Sequence, residues 1–168
     1  MNRPSQEGPH PGPRALGVGV EAGLQVALLG GVLWATGLPF VFPSLGPTAF
    51  VLATRPGTAP AREVLGGHLC GVAAGLLAYH ALAPGLAITD ALGPLSEGGL
   101  RLAASGALSV ALTAGAMVRL RAVHGPACAT TLIVALGVLP RLWEAVVIGA
   151  AVAVMYGAHV AATRPPRR

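Results

Sequence analysis

Charged side chains are scarce in this sequence: only 10% of its 168 residues carry a charge, against about 25% in a typical soluble domain. Lysine is absent, and aromatic residues make up only 4% of the chain. A chain with so little polar surface cannot cover itself in water, which excludes an ordinary soluble domain. The 54% hydrophobic content therefore predicts an all-α integral membrane protein with the lipid bilayer as its surroundings.

Metal-binding and catalytic motifs are also missing. The two cysteines, Cys70 and Cys128, stand alone in apolar stretches, and the chain has neither a CxxC nor an HExxH motif. We therefore expect no metal site, no cofactor and no enzymatic activity. A membrane-embedded enzyme is the less favoured alternative, because the sequence alone does not show whether Ser44 and His124 meet in space.

The positive charge of the chain is dispersed. Its net charge is +5, but the arginines stand singly at the ends of apolar runs or in the two terminal segments. This placement is typical of membrane topology signals. We therefore expect no nucleic-acid partner.

Proline, glycine and arginine divide the apolar sequence into long and short segments. No charged residue lies between Glu21 and Arg55, and that run is too long for one span of about 20 residues. The predicted long spans are 15–38, 64–83, 100–118 and 142–162, and the predicted short segments are 40–54 and 125–139. We expect a disordered tail over 1–14, a membrane domain over 15–162 with halves 15–83 and 100–162, and a basic tail over 163–168. No cleaved signal peptide is expected.

Both short segments contain a Gly-Pro break, at Gly46-Pro47 and at Gly125-Pro126. The shift that superimposes one break on the other also superimposes Arg62 on Arg141, which indicates an internal duplication. Backbone breaks at membrane depth are tolerated where they are buried in protein or line a cavity. Paired breaks in two halves are typical of transporters built as inverted repeats.

The arginines favour six crossings, in which the short segments also cross. The tails and the loops near Arg55 and Arg119 then share one side, and the acidic loop 84–99 lies on the other. This predicts a multi-pass protein of the cell (inner) membrane with both termini in the cytoplasm, and Arg141 is the only misfit. Four spans with two re-entrant segments are the alternative.

One predicted span carries a stripe of glycines. Gly67, Gly71 and Gly75 recur every four residues and so share a helix face. Small residues at this spacing allow another helix backbone to approach closely. Because glycine-striped faces favour association, we expect a homo-oligomer, a dimer or a trimer.

Four stretches in combination resemble the HPP family of integral membrane proteins. They are 42–49, Gly66-Gly67-His68, His124-Gly125-Pro126-Ala127 and 129–137, and the resemblance extends over about residues 15–162. The family is named for a His-Pro-Pro signature, whose middle position is Gly125 in this chain. Some members resemble nitrite transporters, so the resemblance implies a membrane fold and names nitrite as the best guess for a substrate.

The two Gly-Pro breaks also suggest a binding site. Proline suits the first turn of a helix, so each break is expected to start a short helix whose N-terminus faces its counterpart near mid-membrane. Free N–H groups and hydroxyls there would bind a small anion. The predicted substrate-binding residues are Ser44, Gly46, Pro47, Thr48, His124, Gly125, Pro126, Thr130 and Thr131. Alternatively, the breaks only accommodate crowded packing.

Three residues are candidates for proton coupling. Glu21 lies in the first span, and a carboxylate there is functional by default, although it also suits the membrane interface or a pairing with arginine. His68 and His124 can exchange a proton at cellular pH. The alternative for His68 is a hydrogen bond between helices.

The sequence thus predicts membrane transport of a small inorganic anion through a site formed by two broken helices. The alternative is a structural or regulatory membrane subunit with no substrate of its own. A polar cavity lined by both breaks would favour transport. A tightly filled centre would favour the subunit.

Overall fold

The computed structural model describes residues 13–55 and 59–163, and within these ranges it contains six helices and no strand. The helices are α1 (Pro13–Thr36), α2 (Val41–Thr54), α3 (Ala61–Leu82), α4 (Glu97–Arg119), α5 (Ala127–Ala135) and α6 (Leu142–Thr163). α1, α3, α4 and α6 are long and apolar enough to cross a membrane. The all-α membrane architecture with four long and two short segments is therefore confirmed. Of the tails predicted over 1–14 and 163–168, residues 1–12 and 164–168 lie outside the described residues, while Pro13 begins α1 and Thr163 ends α6.

Local backbone signals set the helix boundaries near the predicted positions. α1 ends before Gly37, whose φ of 70° is a conformation that favours glycine. α4 begins after Ser96, whose hydroxyl accepts a hydrogen bond from the Gly99 N–H at 3.2 Å, as an N-cap does. α5 ends near Gly137, which has a φ of 75°, so it is shorter than the predicted 125–139 segment.

The first Gly-Pro break does not start a helix, and that prediction is wrong. α2 begins at Val41, and Pro47 lies inside it. Helix can form this early because Gly37 turns the chain away from α1, and because Pro43 lies in the first turn, where its missing N–H is not needed. Pro47 removes one interior hydrogen bond. At the second break, Pro126 is the N-cap of α5, so a helix start there is confirmed.

The two short helices run side by side in opposite directions. Ser44 of α2 contacts Thr130 of α5, whereas Thr48, one turn later in α2, contacts His124, which precedes α5. Their N-termini therefore do not face each other, contrary to the prediction. α5 instead runs parallel to α3, since Gly67 lies against Ala127 and Gly75 against Val134.

Contacts at the helix ends show how the long helices alternate. The Arg101 Nε–H near the start of α4 donates to the Leu82 carbonyl at the end of α3, at 2.8 Å. The Tyr156 hydroxyl of α6 donates to the Ala59 carbonyl before α3, at 3.1 Å, and His159 of α6 contacts Glu21 of α1. Successive helices thus run in alternating directions, as six crossings require. Which end faces the cytoplasm stays a prediction.

The glycine stripe of α3 packs against α5 within the same chain. A Cβ built on Gly67, Gly71 or Gly75 would lie 2.7 to 2.8 Å from atoms of His124, Thr131 or Val134. No real side chain fits at such distances. The predicted close approach of another helix is confirmed, and its partner is α5 rather than a second copy of the chain.

Replacing Gly71 by alanine is expected to destabilise the fold. Its Cβ would lie 2.8 Å from the Ala127 carbonyl oxygen, so α3 and α5 must separate, at a cost of about 1–3 kcal/mol in unfolding free energy. Gly115→Ala in α4 is the matched control, because nothing lies within 4 Å of its Cβ and alanine is the better helix former by about 0.5–1 kcal/mol. Thermal unfolding in detergent measures both. Equal melting temperatures for the two variants would contradict the packing argument.

Candidate functional site

A buried polar cluster lies where α2, α3 and α5 meet. The Thr48 hydroxyl oxygen is 2.8 Å from Nε2 of His68 and 3.1 Å from Nε2 of His124. The other ring nitrogen of His68, Nδ1, is 2.8 Å from the Thr130 hydroxyl oxygen. Thr130 in turn donates to the Ser44 carbonyl at 3.3 Å. We call Ser44, Thr48, His68, His124 and Thr130 the histidine–threonine cluster.

The sequence builds this cluster from simple helix geometry. Ser44 and Thr48 are four residues apart and therefore lie on one face of α2. The glycine stripe brings the residues around the start of α5 directly against α3, and His68 follows Gly67 in that helix. The two imidazole rings are consequently held with centroids 5.3 Å apart at a tilt of 59°.

Every member of the cluster is buried. His68 is 2% exposed and His124 is 5% exposed, while Ser44, Thr48 and Thr130 are fully covered. Buried polar groups are stable only when they are hydrogen-bonded. The exception here is the Ser44 hydroxyl, which has no partner among the described residues.

A polar cavity of about 250 Å³ reaches the cluster at the start of α5. His124 belongs to both, because its ring contacts Thr48 and the residue also lines the cavity. The cavity contains one basic and one acidic side chain, Arg55 and Glu63. Its other lining residues are Phe50, Val51, Thr54, Ala59, Val123, Gly125 and Pro126.

On the other side of the cluster, His68 lines an apolar groove of about 220 Å³ between α3 and α6. The remaining lining residues are Leu65, Leu69, Val72, Ile148, Gly149, Val152 and Ala153. The cluster thus has one histidine beside a polar cavity and one beside an apolar groove.

A second set of buried hydroxyls lies between α4 and α5. The Thr131 hydroxyl donates to the Ala127 carbonyl at 3.1 Å and is 2.9 Å from the Thr113 hydroxyl. Ser105 donates to the Ala135 carbonyl at 2.8 Å. The site prediction omitted the α4 residues, although Ser105, Ser109 and Thr113 recur every four residues and so mark one polar face of that helix.

The predicted site residues separate into groups. Ser44, Thr48, His68, His124 and Thr130 come together in the histidine–threonine cluster, and Gly125 and Pro126 line the adjoining cavity. Thr131 faces α4. Gly46 and Pro47 line neither the cavity nor the groove, and Pro47 is exposed, because the first break lies inside α2.

Glu21 lies apart from the cluster, between α1 and α6. Its Oε1 is 2.7 Å from Nδ1 of His159 and accepts a hydrogen bond from the Gln25 amide at 3.3 Å. The buried side-chain amide oxygen of Gln25 has no hydrogen-bond partner among the described residues. Within 13–55 and 59–163, no group of three or more His, Cys, Asp or Glu side chains is placed to hold a metal ion.

The transmembrane-region model of the HPP family matches residues 10–167, which is nearly the whole chain. The chain belongs to the HPP transmembrane family. Neither the curated proteins nor the solved structures include a significant match. Together with its four long apolar helices, this membership makes the HPP chain a multi-pass membrane protein.

The cluster of this HPP chain suits two kinds of chemistry. Neutral imidazoles joined through hydroxyls can accept and pass a proton. The adjoining cavity can hold a small polar ligand beside His124, at the N-terminal end of α5, where the helix dipole favours an anion. The N–H groups of Ala127, Cys128 and Ala129 already donate to the carbonyls of residues 124–126.

The cavity predicts a clear difference in chemical access along α2. In a background with Cys70→Ala and Cys128→Ala, a cysteine at Thr54 lines the cavity and should react with a water-soluble methanethiosulfonate reagent. A cysteine at Ala49, which is 1% exposed, should stay unmodified, because a buried thiol has no access to the reagent. Mass spectrometry after a timed reaction measures both, and equal modification of the two thiols would contradict a cavity confined to the start of α5.

Proposed function

We propose that this HPP protein moves a small inorganic anion, nitrite, across the membrane. The observation that carries the proposal is the polar cavity at the start of α5. It contains His124 and leads to a buried polar cluster in the centre of the bundle. Intramembrane ionisable residues are rare and mark ion or substrate pathways in most membrane proteins.

The chemistry of the cavity suits a weakly held anion. Arg55 and the start of α5 supply positive potential, and Glu63 partly offsets it. A site for transport must bind its substrate weakly enough to release it. A volume of about 250 Å³ accommodates a three-atom anion with several waters, each of which takes about 30 Å³.

The helix directions support a transporter built from two inverted halves. α1, α2 and α3 alternate in direction, and α4, α5 and α6 repeat the long–short–long order with each direction reversed. Inverted repeats of this kind place their substrate site where the two halves meet. Here α2 of the first half and α5 of the second meet at Ser44, Thr48 and Thr130.

Transport by this route needs a rearrangement between α2 and α5. The Thr48 and Thr130 hydroxyls bind the histidines, and Thr131 binds Ala127 and Thr113. The Thr48 and Thr130 hydroxyls become available to an anion only when the contacts among α2, α3 and α5 open, and the Thr131 hydroxyl only when α5 also moves away from α4. In this proposal the arrangement described here is a closed state, and the cavity beside His124 is where an anion would first bind.

The filled centre favours one other candidate, a structural or regulatory membrane subunit with no substrate. Only the second Gly-Pro break lines the cavity, whereas we expected both to line it. In this alternative the cluster serves to hold α2, α3 and α5 together. We propose no catalytic role in either case.

We also propose that the protein forms a homo-oligomer, a dimer or a trimer. It lies in the cell (inner) membrane, with both termini on the cytoplasmic side. α1 offers the most exposed helical surface for assembly: Trp34 is 91% exposed, Leu16 72% and Leu24 67%. A second copy or lipid tails must cover these side chains.

Uptake by proteoliposomes tests the proposal. With an inward pH gradient we expect the wild-type protein to take up nitrite faster than nitrate, formate or chloride. Thr54→Trp fills the cavity and should reduce uptake to background. Leu112→Trp, in an apolar groove between α3 and α4, is the matched control and should leave uptake unchanged.

Two results would count against transport. Folded, inserted wild-type protein that takes up none of these anions would favour the subunit. Uptake at the wild-type rate by folded Thr54→Trp protein would show that the cavity is not the route.

A further inference from the structure

The hydrogen bonds of the histidine–threonine cluster fix where each proton lies. The Ser44 carbonyl can only accept a hydrogen bond, so Thr130 donates its single hydroxyl proton to that carbonyl. Thr130 must then accept from His68, which places a proton on Nδ1 of that ring. In the neutral His68 ring, Nε2 is consequently an acceptor.

The same assignment of protons to hydrogen bonds extends to His124. Nε2 of His68 accepts the single hydroxyl proton of Thr48. Thr48 then has no proton left for His124, so Nε2 of His124 must donate to it. The result is a continuous chain of donors from His124 through Thr48 and His68 to Thr130, all pointing in one direction.

The far end of this chain is open to a proton from the cavity. Nδ1 of neutral His124 is an acceptor, it has no hydrogen-bond partner among the described residues, and His124 lines the polar cavity. The apolar groove beside His68 offers no comparable donor. A proton therefore enters the cluster at His124.

We propose that His68 and His124 form a site for one proton, filled from the cavity and relayed through Thr48, and that this proton crosses the membrane with the anion in a one-to-one ratio. The coupling of this proton to the anion rests on the proposed transport function. The existence of the proton site does not.

The transfer balances atom by atom. A hydronium ion in the cavity gives its proton to the lone pair of Nδ1 on His124 and remains as water, and the Nε2 proton of His124 moves to the Thr48 oxygen. The original hydroxyl proton of Thr48 moves to Nε2 of His68. His124 and Thr48 end neutral, and His68 becomes an imidazolium that donates to Thr48 and Thr130.

The pair holds one proton rather than two. The ring centroids of His68 and His124 are 5.3 Å apart. In such a buried environment, a second like charge is strongly disfavoured. Among the described residues, the charged side chains that line the cavity together with His124 are Arg55, at the end of α2, and Glu63 of α3. The α6 residues that line the groove beside His68 are apolar.

An anion in the cavity completes the coupling. Its negative charge beside His124 favours the protonated pair, and the protonated pair in turn favours the anion, since such coupling is reciprocal. Anion and proton together carry no net charge across the bilayer. Transport is then electroneutral and driven by the pH gradient.

The first test examines the proton site without any transport. ¹⁵N-histidine spectra of the full-length protein in lipid, assigned with His68→Gln and His124→Gln variants, should show Nδ1–H for neutral His68 and Nε2–H for neutral His124. On acidification the pair should take up one proton before a second. The opposite tautomers, or two independent titrations, would overturn the proton site.

The second test examines coupling. Proteoliposomes with an internal pH dye should record one proton for each nitrite taken up, without a change in membrane potential. Thr48→Val keeps the shape of threonine but removes the relay, so proton uptake should fall to background. Thr48→Ser should restore proton uptake. Thr113→Val, which removes a hydroxyl outside the cluster, should leave the ratio of protons to nitrite at one.

The outcomes separate the two proposals. A wild-type ratio of one in folded Thr48→Val protein would overturn the relay while leaving anion transport in place. No anion uptake by the wild type would remove the proposed function and the coupling, while the tautomers would still decide the proton site. A folded Thr48→Val protein that loses the Nε2–H signal of His124 supports the assigned direction of the hydrogen bond to Thr48, whether or not the protein transports an anion.

Discussion

The structure depends on one contact, the close packing of α5 against the glycine stripe of α3. The three glycines leave no side chain between the two backbones, and this lets a helix of only 9 residues pack deep in the bundle. The same contact brings His124 next to His68. A larger residue in the stripe would displace α5 and, with it, one of the two histidines. Packing and chemistry therefore share a single constraint.

Much of the architecture could be predicted because membrane helices leave strong marks in a sequence. The long apolar runs, the flanking arginines and the prolines located all six segments to within a few residues. The glycine spacing predicted a close helix partner. Its identity could not be predicted, because an apolar helix face carries no information about whether its partner is another helix of the chain or another copy.

The candidate site was only partly predictable. Thr48, His68 and His124 were each proposed separately, but their sequence separations of 20 and 76 residues give no sign that they meet. The Gly46-Pro47 break was expected at the site, and the structure shows it inside α2. A proline on an exposed helix face loses only one hydrogen bond, so its presence does not require a break. Thr113 was overlooked because a lone threonine in an apolar helix has no distinguishing pattern until the spacing of its neighbours is considered.

The contact between Glu21 and His159 joins the first helix to the last. Glu21 lies in the first half of α1 and His159 in the last turns of α6, so the first and the last helix of the chain are neighbours in the bundle. The order in which the helices follow one another is thus separable from the way they pack. In a permuted chain, with α6 linked to α1 and new ends in the loop between α3 and α4, the contact between Glu21 and His159 would join consecutive helices.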